Sequence, residues 1–224
     1  QPGKDATNII DMSIQFKKRT NSVEIIDTSI KHVEISSYPE DRDLLELTYF
    51  DQKAVQHWAE LPVVDMPVIL DYKDIKDLFI EPHVFIQCIQ NSMQRAFNNV
   101  DFVCAQIGNP EGKGLRGEIQ NKDVYHSYIH TDKPIKITLS GKEIKRILER
   151  TATALSNQNG EVYYNEEILE PTLMTVWKGF NYTVNINKPI GHRIVMEDVD
   201  LESKYIVVMT DYLYRNVKNI ISGN

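Results

Sequence analysis

The strand-like segment "PIKITLS", residues 134–140, runs without a break into "SGKEIKRILERTATAL". Ser140 and Glu143 stand three apart ahead of Ile144, Ile147, Leu148 and Leu155, the pattern of a capping box opening an amphipathic helix. A strand that hands over to a helix within one residue fixes the local geometry tightly. The same interleaving recurs along the chain. Phe85, Cys88, Ile89, Ser92, Ala96 and Phe97 predict a helical face, with Pro82 in its first turn. "VDFVCAQI" predicts a buried strand, and "GNPEGKGLRG" a loop. A short helix is predicted around Lys122–Ser127, one or two strands in "LMTVWKGFNYTVNI", a strand in "YIVVMT", and a last helix or turn in "DYLYRNVKNII". From about Leu61 to the end the expected class is therefore α+β, a mixed sheet packed with helices.

The first sixty residues differ. Ile10, Met12, Ile14 and Phe16 alternate, residues 23–35 are similarly β-branched, and "KKRTNS" between them predicts a β-hairpin. Residues 40–58 then change to a helical pattern, with Leu44, Leu47, Ala54, Val55 and Trp58 on one stripe, until "LPVVDMP" breaks it. A boundary near Ser36–Tyr38 and a linker helix over 38–60 follow from that change.

At 224 residues and 25.9 kDa the chain can bury a core without staples. Cys88 and Cys104 sit in apolar runs without metal or redox spacing, and both are expected as buried reduced thiols. A net charge of -7 argues against sequence-independent binding to nucleic acid, which needs a surplus of cations facing phosphates. No apolar stretch approaches membrane-helix length, so no membrane partner is expected, and a cytoplasmic location is the expectation.

Chemistry-bearing motifs are few. Gly108, Gly112, Lys113 and Gly114 imitate a phosphate loop, but the spacing is one short and Gly114 stands where a hydroxyl would hold magnesium. His126 and His130, four apart in "HSYIH", would share one side of a helix, yet a third ligand is lacking. No nucleophile–base set stands out, so no catalytic residue is expected in this chain. Tyr125, Tyr128, Tyr212 and Tyr214 fall at or just past expected element ends, where rings can face a cleft and stack on a base; the plainer alternative is half-buried core tyrosines.

The ordered series "PHVFIQCIQNSMQRAFNNVDFVCAQI", "EIQNKDVYHSYIHTDKPIKITLSGKEIKRILE", "GFNYTVNINKPIGHRI" and "YIVVMTDY" resembles the C-terminal domain of the 5′-nucleotidase family, which includes 2′,3′-cyclic-nucleotide phosphodiesterases. The resemblance runs from about Leu61 to Tyr214. It implies that residues 61–224 form a substrate-binding domain and that 38–60 form a linker helix. "QPG" and the strands that follow, residues 1–37, would be the tail of the family's metallophosphoesterase domain. In that family, two divalent metal ions in the catalytic domain activate water for attack on a phosphate ester. No Asp-x-His, Gly-Asn-His or Gly-His-x-His motif occurs in this chain, so no cofactor is expected within it.

What the resemblance implies about the site is carried by single residues. Tyr212 matches the family's second stacking aromatic, and His130 falls where the first stands. Asp132 takes the place of an Asn in that motif, Tyr128 lies beside it, and Arg116 is the counterpart of a substrate-binding Arg. The segment "GFNYTVNINKPIGHRI" is implied to be scaffold. Two departures stand out: "LYRNVKN" replaces a glycine-rich ribose loop, and "GNPEGKGLRG" shortens an Asn-Gly-Gly-Gly-Ile-Arg segment. Nucleotide or nucleoside is thus the expected ligand, and the chain's own metallophosphoesterase domain the expected partner. The alternatives are a domain with a vestigial nucleoside site, used in domain packing or homodimerisation, and a parent hydrolase of another phosphate ester such as a 2′,3′-cyclic nucleotide.

Overall fold

The computed structural model describes residues 7–67, 69–112 and 114–222. The "QPG" opening and Lys113 of the glycine-rich loop lie outside the described residues. The chain divides into two compact units, one up to Gln56 and one from His57.

In the first unit, β1 (Asn8–Lys18) and β2 (Val23–Glu34) form the expected antiparallel hairpin. Met12 faces Ile30, Ile14 faces Thr28, and a bulge at Gln15/Phe16 resets the register so that Phe16 faces Ile25. Because side chains alternate across a strand, this register puts Ile10, Met12, Ile14 and Phe16 on one face and Asp11, Ser13, Gln15 and Lys17, together with Ile9, on the other. The apolar face is uncovered within the unit, with Phe16 63% and Ile25 64% exposed. Helix α1 (Arg42–Glu60) follows, its stripe of Leu44, Leu47, Val55 and Trp58 likewise exposed.

The second unit is built on a four-stranded sheet in the order β6-β12-β4-β9, made of β4 (Phe102–Ala105), β6 (Pro134–Ser140), β9 (Val176–Lys178) and β12 (Lys204–Thr210). Around it lie β3 (Pro62–Met66) paired with β5 (Gly117–Gln120), β7 (Leu155–Gln158) paired with β8 (Glu161–Tyr164), and β10 (Tyr182–Val184) paired with β11 (Ile194–Met196). Alternate residues of the central strands feed two cores. Phe102, Cys104, Val207 and Met209 pack with Ile144, Ile147 and Leu148 of α5 (Gly141–Thr153) and Leu213 and Val217 of α6 (Asp211–Ile221). Val103, Ala105 and Val208 pack with Leu78 of α2 (Asp77–Ile80) and Phe85, Ile86 and Met93 of α3 (Val84–Arg95). One further helix, α4 (Asn121–Ser127), completes the set among the described residues, and none of the helices is long and apolar enough to cross a membrane.

The capping box forms as expected: Ser140 Oγ accepts from Glu143 N at 3.3 Å, and Glu143 Oε2 accepts from Ser140 N at 2.6 Å. Gly141 follows because a Cβ there would collide with the Asp200 carbonyl. Other expectations need correction. Helix α3 starts at Val84 with His83 as its cap, so Pro82 lies outside its first turn. Its buried stripe is Phe85, Ile86, Gln90 and Met93, one position off the expected face, which leaves Cys88 and Ser92 in solvent; only Cys104 is a buried thiol. Leu155 belongs to β7, because α5 ends at Thr153.

The "NKPIGHRI" segment is a clasp on α5. Buried Glu149 accepts from Gly191 N at 3.0 Å and from Ile194 N at 2.9 Å. Arg193 Nη1 donates to the Ala152 carbonyl in the last turn of α5 and to the Leu155 carbonyl at the start of β7, at 2.6 and 2.7 Å, a cation at a helix C-terminus. Replacing Glu149 by Ala strands two backbone donors and is expected to lower unfolding stability by about 2–4 kcal/mol in urea titration, with Glu149→Gln losing less. A loss for Glu149→Ala below about 1 kcal/mol would show that the segment is held by other contacts.

Candidate functional site

Strands β4 and β12 are parallel, with Val207 opposite Phe102 and Val208 opposite Val103, so their carboxyl ends lie side by side. Strand β6 runs antiparallel to β12 with Pro134 opposite Thr210, so its first residue reaches the same end. Three irregular pieces therefore meet there: the loop after β4, the segment before β6, and the first turn of α6. The carboxyl ends of parallel strands are where ligands bind in open α/β sheets.

Gln106 continues from β4 and donates from Nε2 to Thr210 Oγ1 at 2.7 Å, while its own Oε1 is buried without a partner. Thr210 in turn caps α6 by accepting from Leu213 N at 3.1 Å. Two residues on, Gly108 supplies a flat seat for the Tyr128 ring, and a Cβ there would come within 2.5 Å of it. Asn109 holds the neighbouring chain by donating to the His126 carbonyl at 2.6 Å. The segment before β6 is pinned to α6 twice, since Asp211 N donates to the Lys133 carbonyl and Lys133 N to Asp211 Oδ1, both at 2.9 Å.

This arrangement brings Tyr128, Asp132, Asp211 and Arg215 into one electrostatic group. Burial first, then the neighbouring Asp211 charge, raise the Asp132 carboxyl above its usual range, while His130 and Arg215 pull it back. The Lys133 backbone N–H holds Asp211 below the usual range. Burial, with both carboxylates adding to it, pushes the half-buried Tyr128 phenol well above its ordinary value and keeps it a hydrogen-bond donor. Two carboxyls driven apart in this way take different charge states over a window of acidic pH.

The remaining expected residues are spread more widely. His130 is exposed in the segment after α4; that helix ends at Ser127, so His126 and His130 do not share a helical side. Tyr212, half-buried in the first turn of α6, has its hydroxyl 3.5 Å from Thr172 Oγ1. Arg116 is exposed and pairs at 3.5 Å with Asp71 rather than with the Asp132 group. Among the described residues, no three His, Cys, Asp or Glu side chains stand together as a metal site. Asp211, Arg215 and Gln106 were not singled out by the sequence, and Gly108 drew attention only as part of a phosphate-loop imitation.

A cavity of about 660 Å³ lies elsewhere, between α3 and β9–β10, with Phe79, His83, Gln90, Trp177 and Tyr182 among its walls. Size alone does not make it the site. Its lining contains none of the residues at the strand ends.

The sign of the Asp132–Asp211 coupling can be measured. A raised pKa means that Asp132 adds stability below its usual range and that this is lost as pH climbs through the folded value; the depressed Asp211 adds stability above the usual range, lost as pH falls through its own folded value. Asp211→Asn keeps the acceptor for Lys133 N and removes the charge. In a carboxyl NMR titration the Asp132 midpoint is expected to drop, because a charge that helps to raise it is gone. No change would mean that the two carboxyls do not interact.

The chain matches the family described as 5′-nucleotidase, C-terminal domain, over residues 70–221. No curated protein matches it by sequence. Among solved structures it is similar to a protein from Staphylococcus aureus described as a 5′-nucleotidase and crystallised with α-ketoglutarate, at 20% identity and a TM-score of 0.76 over 97% of this chain. It is also similar to a 5′-nucleotidase precursor from Thermus thermophilus, at 15% identity and a TM-score of 0.58 over 97% of this chain. The NAD nucleotidase of Haemophilus influenzae follows at 12% identity and 0.53 over 90%. The chain spans 43% of the length of each of these three proteins. With the family match passing through every strand of the four-stranded sheet, the chain belongs to the 5′-nucleotidase C-terminal domain family.

Proposed function

We propose that the unit from His57 onward is the substrate-binding and specificity domain of a 5′-nucleotidase-like phosphohydrolase, and that it holds the nucleoside part of the substrate at the carboxyl ends of β4 and β12. The observation that carries this reading is the convergence of Tyr128, Asp132 and Asp211 there, with Tyr212 following Asp211 in the first turn of α6. Carboxylates accept from sugar hydroxyls and base N–H groups, and an aromatic face stacks on a base. His130 and Tyr212 are the proposed stacking pair, and Arg116 an outlying contact.

Hydrolysis itself is assigned to a metallophosphoesterase domain of the parent protein, where two divalent ions would activate the attacking water. The described residues of this chain do not fit such ions, so no chemical step is assigned to them. The uncovered apolar face of the β1–β2 hairpin supports a partner domain, because a two-stranded ribbon is marginal by itself.

One observation favours a second reading, in which the nucleoside site is vestigial and the domain serves in packing or dimerisation. Where the family has a glycine-rich ribose loop, this chain is helical from Asp211 to Ile221, and Arg150 Nη1 reaches the Asn216 carbonyl at 3.4 Å. A closed helical turn leaves less backbone free to meet a ribose.

Calorimetric titration with adenosine and AMP separates the readings. The first expects binding that Tyr212→Ala weakens by about 1–3 kcal/mol, the usual worth of a base stacked on an aromatic ring. A folded protein that binds neither ligand at millimolar concentration would support the second.

A further inference from the structure

We propose that the cavity between α3 and β9–β10 is a ligand site in its own right, and that it takes a small amphipathic monoanion, an apolar body ending in one carboxylate.

The cavity measures about 660 Å³, inside the range of roughly 300–1,000 Å³ usual for small-molecule sites. A run of rings lines it: Trp177 and Phe180 have centroids 5.9 Å apart, and Phe180 and Tyr182 5.8 Å apart. Trp177 is buried, whereas Phe79, Phe180 and Val184 are only half-buried, so apolar surface in the lining still meets water. Exposed Gln87 and Asn91 of α3 belong to the same lining and open the cavity to solvent. A ligand that covers those apolar walls gains by removing them from water.

The charge in the lining sets the other end of the ligand. Lys178, half-buried at the end of β9, reaches across to α3 and donates from Nζ to Asn91 Oδ1 at 2.6 Å and to Gln94 Oε1 at 2.7 Å. Asn91 lines the cavity as well, which places the ammonium at its edge. Both acceptors are neutral, and no carboxylate pairs with Lys178 among the described residues. An ammonium carries three donors, so one remains, and amide oxygens leave its charge uncompensated. Because α3 already holds the head of this side chain, an arriving anion orders little that is not ordered beforehand. One spare donor suits a monoanion. Glu81, exposed in the same lining, weighs further against a dianion such as a phosphate monoester.

The test reads the cavity wall directly. The chain has two tryptophans, so Trp58→Phe leaves Trp177 as the single indole emitter. Octanoate, octanol and octylamine share one chain and differ in the head group. Titrated into Trp58→Phe near neutral pH, octanoate is expected to shift the Trp177 emission saturably, with a Kd at least about tenfold below that of octanol, and octylamine is expected to bind most weakly. Adding Lys178→Met is expected to bring octanoate to the level of octanol. Gln87→Phe, at an exposed helix position, narrows the cavity without touching the Lys178 bonds and is expected to weaken octanoate and octanol by a similar factor. Each variant is checked for folding by circular dichroism, and the head-group comparison needs no change at Lys178. Octanoate binding no tighter than octanol or octylamine, or binding unmoved by Lys178→Met, overturns the anion assignment. No saturable shift with any of the three, or shifts that Gln87→Phe leaves unchanged, overturns the site itself. Neither outcome touches the nucleoside reading, whose residues lie at the strand ends.

Discussion

The parallel contact between β12 and β4 is the constraint on which the second unit depends. Val207, Val208 and Met209 are fully buried, and so are Cys104 and Ala105 beside them. Alternation sends neighbouring side chains to opposite faces, so each central strand must be covered on both sides. Helices α5 and α6 cover one face, and α2 and α3 the other. Moving either strand by one residue would exchange the two cores. The same contact places both carboxyl ends together, so the position of the site is a consequence of the packing.

Polar fasteners then fix the pieces that the core cannot reach. The Lys133–Asp211 pair ties the approach to β6 onto α6, and Gln106 ties the exit of β4 onto the cap of α6. Glu149 and Arg193 fasten the 185–194 segment to α5. Each of these links joins residues far apart in sequence and sits at an element end, where backbone groups have no helical or strand partner. Thr151, Thr175 and the Trp177 indole form a similar buried chain, at 2.7 and 3.2 Å.

Elements with a strong local signal were legible in the sequence. The Ser140/Glu143 box, the alternation of β1 and the apolar run of β12 appear where their patterns place them, because the interactions that define them lie within a few residues. Helix α3 shows the limit. Its amphipathic stripe could be read with Cys88 or with Gln90 inward, and the choice falls to Gln90 because its amide reaches the Val176 carbonyl on β9 at 3.0 Å. That partner is invisible to periodicity. The candidate site divides in the same way. Tyr128 and Tyr212 stand out as residue types near element ends and Asp132 through the family resemblance alone, whereas the seat at Gly108, the Gln106–Thr210 bond and the Lys133–Asp211 pair arise only when β4, β6 and α6 come together.

The charge of the site bears on how a nucleotide could sit in it. Two carboxylates flank the first turn of α6, and the neighbouring cation, Arg215, is already engaged by Asp211. A phosphate brought to this group would meet like charge from both carboxylates. A base or ribose, neutral and rich in donors, meets no such barrier. On the proposed reading the site therefore orients its ligand as well as holding it. The nucleoside end enters among Tyr128, Asp132 and Tyr212, and the phosphate is turned outward, away from the carboxylates. That polarity is what a binding domain without a catalytic centre of its own would need in order to present a phosphate ester to a separate one.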